Sequence, residues 1–327
     1  MHVLITGAAG FIGYHTAKAW LDAGAEVTGI DALTDYYDPD LKRARLARLT
    51  SREGFTFHHA RIETPGVMDD LARGADIVVH LAAQAGVRYS IDAPESYVTA
   101  NLVGTFRVLE AARHAATPHL VMASTSSVYG ANRDMPFVEE AKADSPMSFY
   151  AATKKAGEAM AHSYAHLYDI PITMLRFFTV YGPWGRPDMA LFKFTAAMLE
   201  GREIDVYGQG EMYRDFSYVD DIVAAIRALG QIPPARGDAH LSSDVAPFRV
   251  VNIGNEAPVR LLDFIAALEK ALGVTAKKRM LPIQPGDMPR TWSDTARLKA
   301  LTGRAPHTPL RDGVARFVDW YRDYHQV

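Results

Sequence analysis

His2-Val3-Leu4-Ile5-Thr6-Gly7-Ala8-Ala9-Gly10-Phe11-Ile12-Gly13 decides how the rest of the sequence is read. His2–Thr6 is a short apolar run with β-branched residues, the pattern of a buried strand. A glycine-rich turn follows at once. Tyr14 to Ala23 then has the spacing of an amphipathic helix, Gly24 ends it, and Glu26–Ile30 reads as a second strand closing on Asp31. Strand, turn, helix, strand and acid in that order predict a βαβ unit built around a phosphate-binding turn.

Each glycine has a reason. Gly7 permits a tight exit from the strand, Gly10 lets the backbone approach a pyrophosphate, and Gly13 lets the helix pack closely. Phe11 and Ile12 sit at the helix start, where free N–H groups and the helix dipole favour phosphate. Asp31 stands about twenty residues on, where a carboxylate accepts ribose hydroxyls and repels a 2′-phosphate, which favours NAD over NADP. The spacing is G-x-x-G-x-x-G, not G-x-G-x-x-G.

The remaining composition narrows the field. Of 327 residues 48% are hydrophobic and 22% charged, as in an ordinary globular protein. The net charge of −3 argues against a nucleic-acid surface, and Lys277-Lys278-Arg279 reads as a short solvated face. With no cysteine, thiolate zinc sites, disulfides and thiol catalysis are excluded; no metal site is expected. There is no long apolar span, and a first strand this close to Met1 leaves no room for a signal peptide, so a cytoplasmic location without membrane partners is expected.

Strands are also predicted at 55–60, 76–81, 119–124, 172–177 and 248–253, and helices at 41–49, 96–115, 149–168, 219–229, 261–272 and 310–324. Alternation of strands with helices implies an α/β fold, a doubly wound parallel sheet of Rossmann type, with a smaller, mainly C-terminal α/β substrate domain. Residues 1–178 are assigned to the dinucleotide domain, with returning segments near 217–230 and 248–257, and residues 179–327 to the substrate domain. Ser217 or Asp220 is expected to open the 219–229 helix, and 235–246 to form a mobile surface loop. Trp320 and Tyr321 are expected to be packing residues.

Leu81 ends a strand and Ala82-Ala83 follow it, and small residues there suit a backbone running under a cofactor. Ser124-Thr125-Ser126-Ser127 lies at another strand end, where open parallel sheets bind ligands. Tyr150 and Lys154 are spaced i,i+4 and share a helix face. A phenol titrates near 10, but an ammonium and a positive nicotinamide ring nearby favour the phenolate. That pair reads as a general base with its activating cation.

The glycine turn and the Thr125–Tyr150–Lys154 set resemble the extended short-chain dehydrogenase/reductase family, in its NAD-dependent epimerase/dehydratase branch. The strings 83–90, Ser127-Val128-Tyr129-Gly130, 175–190, 214–221, Asp35-Tyr36-Tyr37-Asp38 and Gln284-Pro285-Gly286-Asp287 are most similar to UDP-glucuronate 4-epimerases. The resemblance implies reversible C4 epimerisation of UDP-glucuronate to UDP-galacturonate through a 4-keto sugar, with tightly bound NAD. It implies cofactor contacts from Asn101 and Lys154. Thr125 is implied to hold the C4 oxygen, Ser126 and Ser127 to line the same pocket, and Thr179, Arg186 and Arg88 to meet the sugar carboxylate. Arg214 is implied to face the UDP diphosphate, with Asp287 also at the substrate. The 96–115 and 149–168 helices resemble a pair that forms a homodimer interface.

Related decarboxylases carry Glu at the position of Ser127, and dehydratases an Asp-Glu pair where Ser126-Ser127 stands. Both absences argue against loss of carbon dioxide or water. Two positions depart from the family pattern: Ala32 replaces an Asn, and Arg61 replaces an Asp near the adenine, where it can stack on the base or attract a 2′-phosphate. The alternatives are an epimerase of another nucleotide sugar such as UDP-glucose/galactose, a UDP-glucuronate decarboxylase, and a non-catalytic NAD-binding scaffold. A substrate panel separates the first two from the main reading, and a Tyr150→Phe variant the third.

Overall fold

The first strand, β1 (His2–Thr6), lies inside a seven-stranded, all-parallel sheet. The computed structural model describes residues 1–284 and 287–327; Pro285 and Gly286 of the 284–287 string lie outside the described residues. With β2 (Glu26–Asp31), β3 (Phe55–His59), β4 (Ile77–His80), β5 (Leu120–Thr125), β6 (Ile172–Phe177) and the Phe248–Ile253 strand, the order across the sheet is Phe248–Ile253, β6, β5, β4, β1, β2, β3. The chain turns back at β1/β4, and the crevice beyond the C-terminal ends of those strands is where such sheets bind ligands.

Alternation along each strand sends side chains to two cores. Val3 and Ile5 join one apolar cluster, against α1 (Phe11–Asp22) and the Val219–Gly230 helix. Leu4 joins the other, with α3 (Val67–Ala72) and the Gly104–His114 and Phe149–Tyr168 helices. A strand buried on both faces reads as a continuous apolar run, as β1 does.

Past Phe177 only the Phe248–Ile253 strand returns to this sheet among the described residues. Tyr213–Tyr218 pairs antiparallel with Pro258–Arg260 and parallel with Arg290–Thr291 and Thr179–Tyr181. Glu203–Val206 pairs with Lys277–Met280, whose four residues are all exposed, as expected of a solvated basic face. Trp320 and Tyr321 pack, Tyr321 at 6% exposure and Trp320 stacked on Tyr324. Among the described residues no helix is long and apolar enough to cross a membrane.

Local rules set the ends of the key elements. Asp38 caps α2 (Pro39–Thr50), accepting from Asp40 N at 2.9 Å with Pro39 as the first helical residue. Ser148 caps the Phe149–Tyr168 helix through Ala151 N at 3.1 Å, which fixes Tyr150 in the first turn. Two expectations are corrected. Neither Ser217 nor Asp220 caps the 219–230 helix: Ser217 is a fully buried strand residue, and Tyr218 precedes the helix with no side-chain cap. The 96–115 segment is not one α-helix. Pro94–Tyr97 leads into a π-helical turn, Val98–Val103, before the α-helix resumes at Gly104, a register change that periodicity alone does not reveal. The 235–246 loop has no regular structure; Arg236 bonds Asp169 at 2.9 Å and His162 bonds Ser243 at 2.8 Å.

Candidate active site

The turn after β1 is shaped by crowding. Gly7 has φ +73°, and a Cβ there would lie 2.8 Å from Ala82 N. A Cβ on Gly13 would lie 1.9 Å from the Gly7 carbonyl, so this glycine serves helix-to-turn contact. A Cβ on Gly10 would meet only the Gly7 carbonyl, at 3.0 Å and beyond. The Asp31 carboxylate, at the end of β2, accepts from Ala9 N at 3.0 Å and Leu33 N at 2.8 Å. Thr6, which the sequence reading passed over, accepts from Leu81 N and Ala82 N, both at 3.1 Å, and so draws the second wall toward the turn.

Between these walls lies a cavity of about 450 Å³. Gly7, Gly10, Phe11, Ile12, Gly13 and Asp31 line one side and Leu81, Ala82 and Ala83 another. Thr125, Ser126, Ser127, Tyr150, Lys154, Thr179 and Arg186 complete it. Arg61 lies at the Asp31 end, where its guanidinium pairs with Glu63 at 2.8 Å. Among the described residues no cluster of His, Cys, Asp or Glu could hold a metal ion.

Asn101, read as a cofactor contact, is not on the cavity wall. The π turn points it inward, where it accepts from Gln84 N at 2.8 Å and donates to Gln84 O at 3.1 Å and Thr153 Oγ1 at 3.0 Å. It is 2% exposed, and its polar atoms are spent holding the Ala83–Ala85 wall against the Tyr150 helix. Arg88, Arg214 and Asp287 also lie off the cavity wall and form a group of their own. Arg88 pairs with Asp287 at 3.3 Å and lies over the Tyr207 ring. Arg214 donates to Tyr213 O at 2.9 Å; burial lowers its pKa, Asp287 opposes that, and Arg88 adds to it.

Arg186 does not stand free. Its Nε donates to Asp188 Oδ1 at 2.9 Å and its Nη2 to Asp188 Oδ2, a bidentate pair, while Tyr36 donates to Asp188 Oδ2 at 3.1 Å. Burial raises the Tyr36 phenol to about 12, with Asp188 adding to the rise. The quoted strings contained Tyr36 and Asp188, but no spacing rule links residues that far apart.

The electrostatics of Tyr150 and Lys154 also differ from the sequence reading. Burial dominates both, raising the phenol above its ordinary value and lowering the Lys154 ammonium to about 8. The charge that pulls Tyr150 back down is Arg186, with help from the Thr125 hydroxyl; Lys154 is not among its causes. Thr125 in turn shares its hydroxyl with Ser127, donating to Oγ and accepting from N, both at 3.2 Å.

Below this surface lies a buried ion pair that sequence reading missed. Glu158, one turn beyond Lys154, accepts from Arg176 Nε at 2.9 Å and Nη2 at 2.8 Å and from Ser124 Oγ at 2.6 Å. Both charged side chains are 3% exposed. The pair ties the Tyr150 helix to β6, and the Ser124 bond ties it to the end of β5 that carries Thr125. An acid four residues after a catalytic-type Lys, and an Arg inside an apolar strand, were the available signals.

The chain is similar to known proteins in sequence and fold. The profile of the NAD-dependent epimerase/dehydratase family matches residues 3–253. A probable UDP-glucuronate 4-epimerase of Rhizobium meliloti is 53% identical, over 98% of this chain and 97% of its own. UDP-glucuronate 4-epimerase 4 of Arabidopsis thaliana is 44% identical over 99% of this chain and 76% of its own length. The crystal structure of UDP-glucuronic acid 4-epimerase from Bacillus cereus, in complex with UDP-glucuronic acid and NAD, superposes with a TM-score of 0.90 at 35% identity, covering 99% of this chain and all of that one.

Proposed function

This chain belongs to the NAD-dependent epimerase/dehydratase family, and from that premise we propose that it interconverts UDP-glucuronate and UDP-galacturonate by inverting C4 of the sugar. The observation that carries the reading is the meeting of Tyr150, Thr125 and Arg186 in one cavity with the glycine turn. The walls fit a dinucleotide: a turn bare of side chains at Gly10, a helix N-terminus facing it, and an acid for the ribose at Asp31. Lys154 would hold the other ribose; at the adenosine end Asp31 disfavours a 2′-phosphate, and Glu63 takes up the Arg61 guanidinium that would attract one.

When bound, NAD accepts and returns the C4 hydride and brings a positive ring that favours a nearby phenolate. The chain supplies the rest. Tyr150 takes the C4 hydroxyl proton as the carbonyl forms, with Thr125 donating to the same oxygen. The 4-keto sugar turns over about its link to the diphosphate, so that it presents the opposite face of C4 to the returning hydride, and Tyr150 gives the proton back to the C4 oxygen. No net oxidation results. Ser126 and Ser127 put neutral hydroxyls where elimination or decarboxylation would call for carboxylates. Arg88 and Arg214 suit the diphosphate, with Asp287 fixing the first of them.

For the uronate carboxylate the groups at hand are Ser126, Ser127, Thr179 and Arg186. Asp188 already takes Arg186 Nε and Nη2, which leaves Nη1 for a ligand. Arg186→Ala is expected to raise the KM for UDP-glucuronate about tenfold or more, the scale of a charged hydrogen bond, and to affect UDP-glucose far less. Equal losses on the two substrates would count against the carboxylate role. The overall reading is tested by incubating purified protein with UDP-glucuronate. UDP-galacturonate is the expected product, and a UDP-pentose would make the protein a decarboxylase.

A homodimer is part of the proposal. Val98, Val103 and Phe106 are exposed on one segment and Phe149, Leu167 and Tyr168 on the neighbouring helix, large apolar side chains on two elements that pack together. Light scattering is expected to give twice the 36.0 kDa chain mass, and a value of one chain mass would refute the dimer.

A further inference from the structure

Arg45 is fully buried in α2, yet its guanidinium meets no carboxylate among its hydrogen-bond partners. Nη1 donates to Ala9 O at 3.0 Å and to the Tyr37 hydroxyl at 2.7 Å. Nε and Nη2 donate to Trp184 O at 3.1 and 2.6 Å, and Nη2 also to Gly185 O at 3.1 Å. All its donors are therefore used, and they join the backbones of two ligand loops. Ala9 belongs to the glycine turn, and its N–H is the one held by Asp31. Trp184 and Gly185 immediately precede Arg186. From α1, His15 adds a bond to Pro183 O at 2.9 Å, so three consecutive carbonyls of this loop are held by side chains from the dinucleotide half.

We propose that Arg45 is a positioning residue that couples the dinucleotide turn to the loop carrying Arg186 and Asp188, so that occupancy of one ligand site stabilises the other. The inference rests on assigning the cavity to NAD and a nucleotide uronate. Three physical points support it. A guanidinium is a rigid planar fork, so displacement at one end reaches the other. A buried cation satisfied only by neutral acceptors is costly unless its geometry is held, which ties the two loops to one arrangement. Trp184 has φ +61°, a left-handed conformation that a bulky residue keeps only while its surroundings impose it. The loop thus has a second, relaxed state to fall into when the strut is removed.

Coupling of this kind is reciprocal and reads as a fold-change in affinity. The test uses the NAD-loaded protein carrying Tyr150→Phe, so that turnover is slowed about 10³-fold. Release of bound NAD is followed by exchange with excess labelled NAD, with and without saturating UDP-glucuronate. The sugar nucleotide is expected to slow release about tenfold, within the usual range of such coupling. Adding Arg45→Met is expected to bring the ratio close to one, and Arg45→Lys not to restore it. An unchanged ratio in Arg45→Met, or a ratio of one in the parent, overturns the strut while leaving the site reading intact. A parent that retains neither NAD nor UDP-glucuronate overturns the site reading itself. Should Arg45→Met fail to fold, amide exchange in the parent decides: NAD is expected to slow exchange across Gly182–Asp188, and no change there overturns the proposal.

Discussion

Tyr150→Phe is expected to lower kcat on UDP-glucuronate about 10³-fold, the scale of a lost general acid–base group, with NAD and UDP-glucuronate still bound. Phe keeps the ring that packs edge-on against Tyr97 and removes only the hydroxyl beside Thr125. Burial holds the phenol above its ordinary value, Arg186 opposes that, and the positive ring of bound NAD would oppose it further, so the base form gains as pH rises. Activity of the wild-type protein should therefore rise as pH is increased from neutral, and the residual rate of the variant should not. Steady-state rates across pH, with ligand binding measured in parallel, check both halves. Full activity in the variant would remove Tyr150 from the chemistry.

Glu158→Ala is expected to destabilise the protein by about 3–5 kcal/mol, because it leaves Arg176 as an unpaired buried charge. Burial pushes the Glu158 carboxyl up, but the hydrogen bonds and charge of Arg176 outweigh it and hold it at about 2, against an ordinary 4.5. A carboxyl depressed on folding contributes stability that is full above 4.5 and lost as pH falls through that value toward 2. The wild-type protein should lose this contribution over that window, and Glu158→Ala should lack it already at neutral pH. Urea denaturation at several pH values measures the difference; equal stability of the two proteins at neutral pH would contradict it. The same substitution frees Ser124 next to Thr125, so kcat should fall along with stability.

Where the chemistry is local, the sequence was readable. The glycine turn, its helix and Asp31 lie within one βαβ unit, and Tyr150 and Lys154 are one helical turn apart; all of them line the cavity. What was not readable depends on long-range packing or on an irregular turn. Arg45 looks like one more cation in a basic helix, and only the fold shows it buried between two loops. Asn101 falls on an ordinary helical repeat until the π turn rotates it away from the cavity. Arg186 reads as a free carboxylate receptor until the loop folds Asp188 onto it. The expected lowering of Tyr150 rested on Lys154 together with a nicotinamide ring; in the chain alone, desolvation outweighs i,i+4 proximity.

The most direct test of the central claim follows the hydrogen at C4. UDP-glucuronate deuterated at C4 is incubated with purified protein in ordinary water, and the product is analysed by NMR and mass spectrometry. If the hydrogen that leaves C4 is the one that returns, UDP-galacturonate will carry the label at C4 undiminished, with no stoichiometric demand for added NAD. Loss of deuterium to solvent, or a product lacking the carboxylate, would show that the inversion described here does not take place.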